Sequence, residues 1–303
     1  MGILAVSTAS IFIRYAQETA PSLVIAAWRL GLATLVLLPI VIHSRRKELA
    51  SISKNELIFA TLSGIFLALH FATWISSLQY TTVASSVVLV STVPLWVAFF
   101  SPFTIKEPIS KAVLAGMLLA LLGGIIVALS DTCSFGSEGF LCPNTGEFLR
   151  GEAFFGDLLA LTGAIAAAGY LLIGRKLRVR LSTLSYIFIV YGFAAVVLFL
   201  VMLAAGLDAF GYPPMTYIWF LALALIPQLL GHSSYNWALG FLSAAFVSIV
   251  LLGEPVGSTI LAYFLLQETP TPLKIVGAIL ILLGIYLASA SEAKKKNKIM
   301  KPQ

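Results

Sequence analysis

The chain has 303 residues, of which 59% are hydrophobic and only 11% charged, with a net charge of +6 and a mean hydropathy of +0.99. A soluble domain carries roughly 25% charged residues, so this composition excludes one or two soluble domains and points to a protein of the bilayer. The apolar runs are continuous, not alternating, so the spanning unit is a helix of about 20 residues and not a barrel strand.

Ten such spans are predicted. The first half gives 2–17, 21–43, 56–78, 82–103 and 111–130; the second gives 154–174, 182–206, 215–238, 243–266 and 273–290. The first span is short, and its basic residue, Arg14, follows the apolar run. A secretory signal has the opposite order, so the segment reads as a helix. The second span holds Arg29 about eight residues, or roughly 12 Å, from its beginning. The third carries His70 and Trp74, and the fourth carries Pro94. The fifth spaces Ala112, Gly116, Ala120 and Gly124 four apart, a small-residue stripe that predicts close helix packing. A polar, acidic segment at 131–153 follows, with the only two cysteines, Cys133 and Cys142. On an oxidising face they suit a disulfide, with free thiols as the alternative; a lone pair without histidine is too few for a metal. The eighth span places Gln228, His232, Tyr235 and Asn236 on one helix face by the i, i+4, i+7 rule. The ninth carries Glu254 about eleven residues in, roughly 16 Å, next to Pro255. Apart from Lys111 and Lys274 at their very starts, spans five and ten hold no acidic or basic residue, and both read as peripheral and structural.

Sliding the chain against itself by 161 residues brings its punctuation into register. Gly2 falls on Gly163, Arg14 on Arg175, Gly31 on Gly192 and Pro94 on Pro255 (255 − 94 = 161). Glu107 falls on Glu268, Gly116 on Gly277 and Gly123 on Gly284. A single long duplication in so apolar a chain is the build of many secondary transporters. The segments are then a first five-span repeat at 1–130, a joining loop at 131–153, a second repeat at 154–291 and a basic tail at 292–303.

Basic residues gather on one side. Arg45, Arg46, Lys47 and Lys54 follow the second span, Lys106 and Lys111 the fourth, and Arg175, Lys176, Arg178 and Arg180 the sixth. With ten spans these loops share a face with both termini, which the positive-inside rule makes cytoplasmic. An odd number of spans per repeat inverts the second half against the first. The loop around Asp208 is the mate of the basic loop at 45–54 and has no Lys or Arg. The net charge is therefore a topology signal with some attraction to anionic membrane lipid, and no nucleic-acid partner is expected.

Ionisable residues inside a bilayer are costly and are functional candidates by default. Glu254 is the sharpest: a carboxylate at that depth suits proton coupling, with a structural, hydrogen-bonded acid as the alternative. Pro255 removes a backbone donor beside it and loosens the helix; with Pro94 it marks a matched pair of hinges or of static kinks. Arg29 could clamp a substrate carboxylate, but pairing with an acid or snorkelling outward is the reading the position favours. His70, Trp74, Gln228, His232, Tyr235 and Asn236 together suit the lining of a water-filled cavity, though a single histidine more often joins two helices. The sequence holds no H-E-x-x-H, no G-x-S-x-G and no G-x-x-x-x-G-K-[ST], so neither a zinc protease, a serine hydrolase nor a P-loop ATPase is expected. No cofactor or metal is expected. A passive facilitator, which needs a lined pore but no coupled acid, stays open, and an intramembrane enzyme ranks below it.

Four strings carry a family resemblance: Ala20-Pro21-Ser22-Leu23 running to Arg29; Tyr80 to Pro94 with Glu107 beyond; Gly231-His232-Ser233-Ser234-Tyr235-Asn236-Trp237-Ala238; and Gly253-Glu254-Pro255-Val256 with Glu268 beyond. Together, and over essentially the whole chain, they resemble the drug/metabolite transporter superfamily, EamA type. The resemblance implies an all-α integral membrane fold, ten transmembrane helices as two inverted five-helix repeats around a central cavity. It also implies alternating access in the plasma membrane and export or exchange of a small metabolite, often an amino acid.

Overall fold

A computed structural model of the chain describes residues 1–81, 86, 89–106, 109–132, 134–136, 139–141, 152–266 and 269–300. The described chain is almost wholly helical: α1 Gly2–Ser7, α2 Ala9–Gln17, α3 Ser22–Ser44, α4 Arg46–Ala50, α5 Lys54–Tyr80, α6 Val93–Thr104 and α7 Lys111–Thr132 come first. Two short antiparallel strands, β1 Ser134–Gly136 and β2 Gly139–Leu141, pair with Phe135 opposite Phe140. Then follow α8 Glu152–Leu177, α9 Thr183–Ala204, α10 Pro214–Leu223, a π-helical stretch Ala224–His232, α11 Ser233–Ala238, α12 Ala244–Leu251, α13 Glu254–Leu266 and α14 Pro272–Met300. Cys133, Cys142, Glu107 and Glu268 lie outside the described residues.

Among the described residues, six stretches are long and apolar enough to cross a membrane: Ser22–Ser44, Lys54–Tyr80, Phe154–Leu177, Thr183–Ala204, Pro214–Ala238 and Ala244–Leu261. Shorter apolar helices cover Val93–Thr104, Lys111–Ile126 and Ile275–Ala288. Their outer faces expose Leu35, Ile42, Ile65, Leu118, Leu200, Ile218 and Leu283, an apolar surface that water would not tolerate and acyl chains would.

Local chemistry sets the helix ends. Ser53 and Glu56 form a reciprocal capping box at the start of α5, and Ser182 and Ser243 accept from backbone N–H groups at the starts of α9 and α12, meeting donors that a helix N-terminus leaves orphaned. Four predicted spans differ from straight α-helices, the fourth through a turn at Ser91 and Thr92 ahead of α6. The first breaks at Thr8, whose hydroxyl turns back to the Ala5 carbonyl (2.7 Å), a bond that competes with the helix ladder. The eighth runs through π turns around Pro227. The ninth breaks at Leu252 and Gly253, whose amides turn back three residues to Ile249 and Val250 (both 3.0 Å). Pro255 has no N–H to continue the ladder, so α13 starts afresh at Glu254. In the first repeat α6 begins at Val93, with Pro94 second. The two helices thus start 161 residues apart (254 − 93).

Close approach of small residues fixes how helices pair. A side chain on Gly116 would strike the backbone of Gly284, and one on Gly123 the backbone of Gly277; rising numbers on α7 meet falling numbers on α14, so the two run antiparallel. Gly163 of α8 sits against Thr73 of α5, and Gly2 of α1 against Ser234 of α11. Exchanging each residue for its mate 161 positions away converts each of these contacts into another of the set: 116–284 into 277–123, and 2–234 into 163–73. The seam on α7 is Gly116, Ala120 and Gly123, not the predicted four-residue stripe: Ala112 is exposed and a side chain on Gly124 would meet open space, because 3.6 residues per turn carry the fourth position off the contact face.

Polar contacts sort the loops onto two faces. On one, the Glu48 carboxylate accepts from the Ser182 amide (2.6 Å) and hydroxyl (2.7 Å), Arg180 pairs with Glu56 and also donates to the Ser51 carbonyl (3.1 Å). On the other, Thr19 meets Thr216 (2.7 Å) and the Trp28 indole donates to the Ala209 carbonyl (2.8 Å).

Candidate functional site

A cavity of about 70 Å³ lies where the two halves meet. Its walls come from both repeats in matched pairs: Ala9 and Tyr170, Trp74 and Tyr235, Val90 and Leu251, Ser91 and Leu252, Val93 and Glu254, each pair 161 apart (170 − 9, 235 − 74, 251 − 90, 252 − 91, 254 − 93), with His70, His232 and Pro94 beside them. The mates are not chemically alike. Alanine faces tyrosine, and valine faces glutamate, so the polar groups crowd to the second-repeat side.

Glu254 opens α13 and borders the cavity. Its backbone carbonyl accepts from the Ser7 hydroxyl (3.2 Å), and the Ser258 hydroxyl donates to the Ser7 carbonyl (3.0 Å). These bonds pin the start of α13 to α1, and Gly257 allows the approach. The side-chain carboxylate itself has no hydrogen-bond or ion-pair partner among the described residues.

His70 Nδ1 lies 3.0 Å from the Gly163 carbonyl. A carbonyl only accepts, so Nδ1 carries a proton and donates it to Gly163. The imidazole stacks on Trp74 at 5.8 Å and 9°. His232 meets Tyr235 edge-on at 5.8 Å and Phe71 at 5.3 Å.

The predicted stripe on the eighth span divides. His232 and Tyr235 reach the cavity, whereas Gln228 and Asn236 are fully buried behind it. Asn236 lies 2.8 Å from the Tyr170 hydroxyl, donates to Tyr191 (3.2 Å) and to the His232 carbonyl (2.8 Å). Its backbone carbonyl accepts from Arg178 Nε (2.8 Å). It is a structural knot that holds Tyr170 in the cavity wall. Although Glu254 is the acid whose charge acts on it, Arg29 makes no ion pair at contact distance among the described residues, and it does not snorkel to water. It is fully buried, because α9 and the π stretch close over α3 and leave no route for snorkelling. Arg29 Nε donates to Gln228 Oε1 (2.8 Å), and its guanidinium carbon stands 4.2 Å over the Phe71 ring.

Tyr170, Ser91 and Ser248 also line the cavity and were not expected. The signal that could have found Tyr170 is the 161-residue offset, which makes it the mate of Ala9 in the first span. A larger hollow of about 730 Å³ opens on the outer surface by Leu35, Phe193, Val196 and Leu200. No charged group lines it, so it suits acyl chains and not polar cargo.

The EamA-like transporter family matches residues 1–129 and again 154–290. An "Uncharacterized transporter" of Archaeoglobus fulgidus is 26% identical over 93% of this chain and 92% of its own length. "Uncharacterized transporter YyaM" of Bacillus subtilis is 24% identical, covering 87% and 83%. A WAT1-related protein of Arabidopsis thaliana is 22% identical, covering 92% and 81%. A solved crystal structure of 18% sequence identity superposes on 97% of this chain and 95% of its own with a TM-score of 0.75, a likeness of fold.

Proposed function

We propose, since the chain belongs to the EamA-like transporter family, that it is a secondary active transporter that exports or exchanges a small metabolite by alternating access across the plasma membrane. The observation that carries this reading is the cavity of repeat mates with an unpartnered carboxylate, Glu254, in its wall. A site on the symmetry axis can open to either face by exchanging the conformations of the two halves.

The proposed build is ten spans in two inverted five-span repeats, 1–130 and 154–291, joined outside by 131–153 and followed by a cytoplasmic tail at 292–303. The exchange symmetry of the Gly116–Gly284 and Gly123–Gly277 contacts supports it. So do the two faces of loop contacts, since Glu48 meets Ser182 on the side predicted to be cytoplasmic. A cavity of 70 Å³ is far below the roughly 300 Å³ or more of ordinary ligand sites. Cargo larger than a few waters therefore requires the halves to move. The starts of α6 and α13, at Val93-Pro94 and Glu254-Pro255, are the proposed matched hinges.

Coupling is assigned to Glu254. An unpartnered charge in a low-dielectric site is expensive, so protonation and substrate contact compete for the carboxylate. The test is uptake of labelled metabolites into liposomes holding the purified protein, with and without an imposed proton gradient. The parent should accumulate substrate only with the gradient. Glu254→Gln should lose accumulation yet keep substrate counterflow. Parent-like accumulation by that variant between about pH 5 and pH 8 makes Glu254 structural, and a parent that only equilibrates its substrate is a facilitator.

A further inference from the structure

We propose that Arg29 and Gln228 form a subsite for the carboxylate group of the transported molecule, an inference that rests on the transporter reading. The buried side-chain nitrogen and oxygen atoms without a partner, among the described residues, are Arg29 Nη1 and Nη2, Gln228 Nε2, Trp74 Nε1 and the Tyr235 hydroxyl. All of them can donate a hydrogen bond, and four of the five can do nothing else. They are also clustered. Trp74 and Tyr235 are cavity walls, and Arg29 lies against Phe71, which touches His70 (4.8 Å) and His232 (5.3 Å), both in that wall.

Elsewhere in the core, buried polar groups find partners. Ser63 meets Tyr186 (2.8 Å), Ser77 meets Ser86 (2.6 Å) and Asn236 is held by three groups. Native interiors pair nearly all such groups, and an uncompensated buried guanidinium is among the most costly exceptions. A one-sided surplus of donors around a fixed positive charge asks for an acceptor that carries negative charge. Two parallel N–H groups of Arg29 match the two oxygens of a carboxylate, and Gln228 Nε2 supplies a third donor. Gln228 Oε1 orients the fork by accepting from Arg29 Nε. Glu254 acts on Arg29 through its charge but makes neither an ion pair nor a hydrogen bond with it among the described residues, so the Nη donors stay open in this conformation. The subsite lies one ring behind the cavity, so Phe71 and His232 must turn for the carboxylate to reach it.

The test uses the purified full chain and a panel of the protein amino acids, short mono- and dicarboxylates, their neutral amides, chloride and inorganic phosphate, read by ligand-dependent thermal shift. At least one carboxylate should stabilise the parent, and its amide should fail to do so at ten times the concentration. Gln228→Glu places a carboxylate where it can neutralise Arg29 internally. That variant should melt no lower than the parent and lose the ligand shift, with affinity down at least about tenfold. Arg29→Lys should also bind more weakly because it lacks the fork. Stabilisation by the amide equal to the acid, a full ligand shift in Gln228→Glu, or a response only to chloride or phosphate would each overturn the subsite. So would the absence of any carboxylate response. Liposome transport of a neutral or cationic compound alongside such a result leaves the transporter reading standing, whereas no transport of any compound sinks both.

Discussion

Glu48 shows how one side chain can tie the two halves together. Partial burial would raise its carboxyl, but hydrogen bonds from the Ser182 hydroxyl and amide and from Ser185, with the Arg45 charge nearby, outweigh that and hold it below its ordinary value of 4.5. A depressed folded-state value contributes stability that is present above the ordinary value and lost as pH falls through the lowered one. Glu48→Gln should therefore melt a few degrees below the parent at neutral pH, and the gap should close as pH falls below 4.5 and through the lowered value. A constant gap in melts across that range would show that the carboxylate charge is not its source. The same scale explains which site residues could be read from sequence. Glu254, His70, His232 and Tyr235 stand out as polar groups in apolar spans, and the cavity collects them. The pairing of Arg29 with Gln228 joins residues 199 positions apart and depends on how the π stretch lies against α3, which no local pattern encodes. Tyrosine is common in such helices, so only the 161-residue offset could have singled out Tyr170, whose place in the cavity wall is fixed by its bond to Asn236.

At the level of the element, hydrophobic runs located the helices but not their interruptions. The breaks at Thr8 and at Leu252-Gly253, and the π turns at Ala224–His232, keep the residues just as apolar. Hydropathy averages over a window and cannot register a change in hydrogen-bond spacing. Proline was the better guide, because a missing N–H has a fixed consequence: α6 and α13 both start one residue before it. The seam between α7 and α14 offers a sharp check on packing. Gly116→Val should clash with the Gly284 backbone and the Ala288 side chain, costing about 1–3 kcal/mol as an overpacked contact does. Gly124→Val, with open space around it, should change stability by less than about 0.5 kcal/mol. Thermal melts of the two variants in one detergent separate them; equal losses would mean that the antiparallel register of α7 on α14 is wrong.

For the whole molecule, the 161-residue offset in sequence and the exchange symmetry of contacts are independent records of one duplication. The first comes from letters alone; the second requires Gly2 to find Ser234 while Gly163 finds Thr73. The proposed odd number of spans per repeat would turn mates to opposite faces, and the charges accord with that proposal: the loop with Arg45, Arg46 and Lys47 is the mate of the loop around Asp208. Those two loops lie on different faces here. Glu48 touches Ser182, whereas Ala209, next to Asp208, receives the Trp28 indole beside the Thr19–Thr216 contact. With Cys133 and Cys142 replaced by serine, a membrane-impermeant thiol reagent applied to intact cells should label Asp208→Cys. It should miss Lys47→Cys until the cells are permeabilised. The reverse pattern would keep the inverted repeat and turn the molecule over, placing its basic loops outside against the bias that sets orientation. Labelling of both positions in intact cells would put both loops on one side, and the odd-span inversion on which a symmetric, alternating cavity depends would fail.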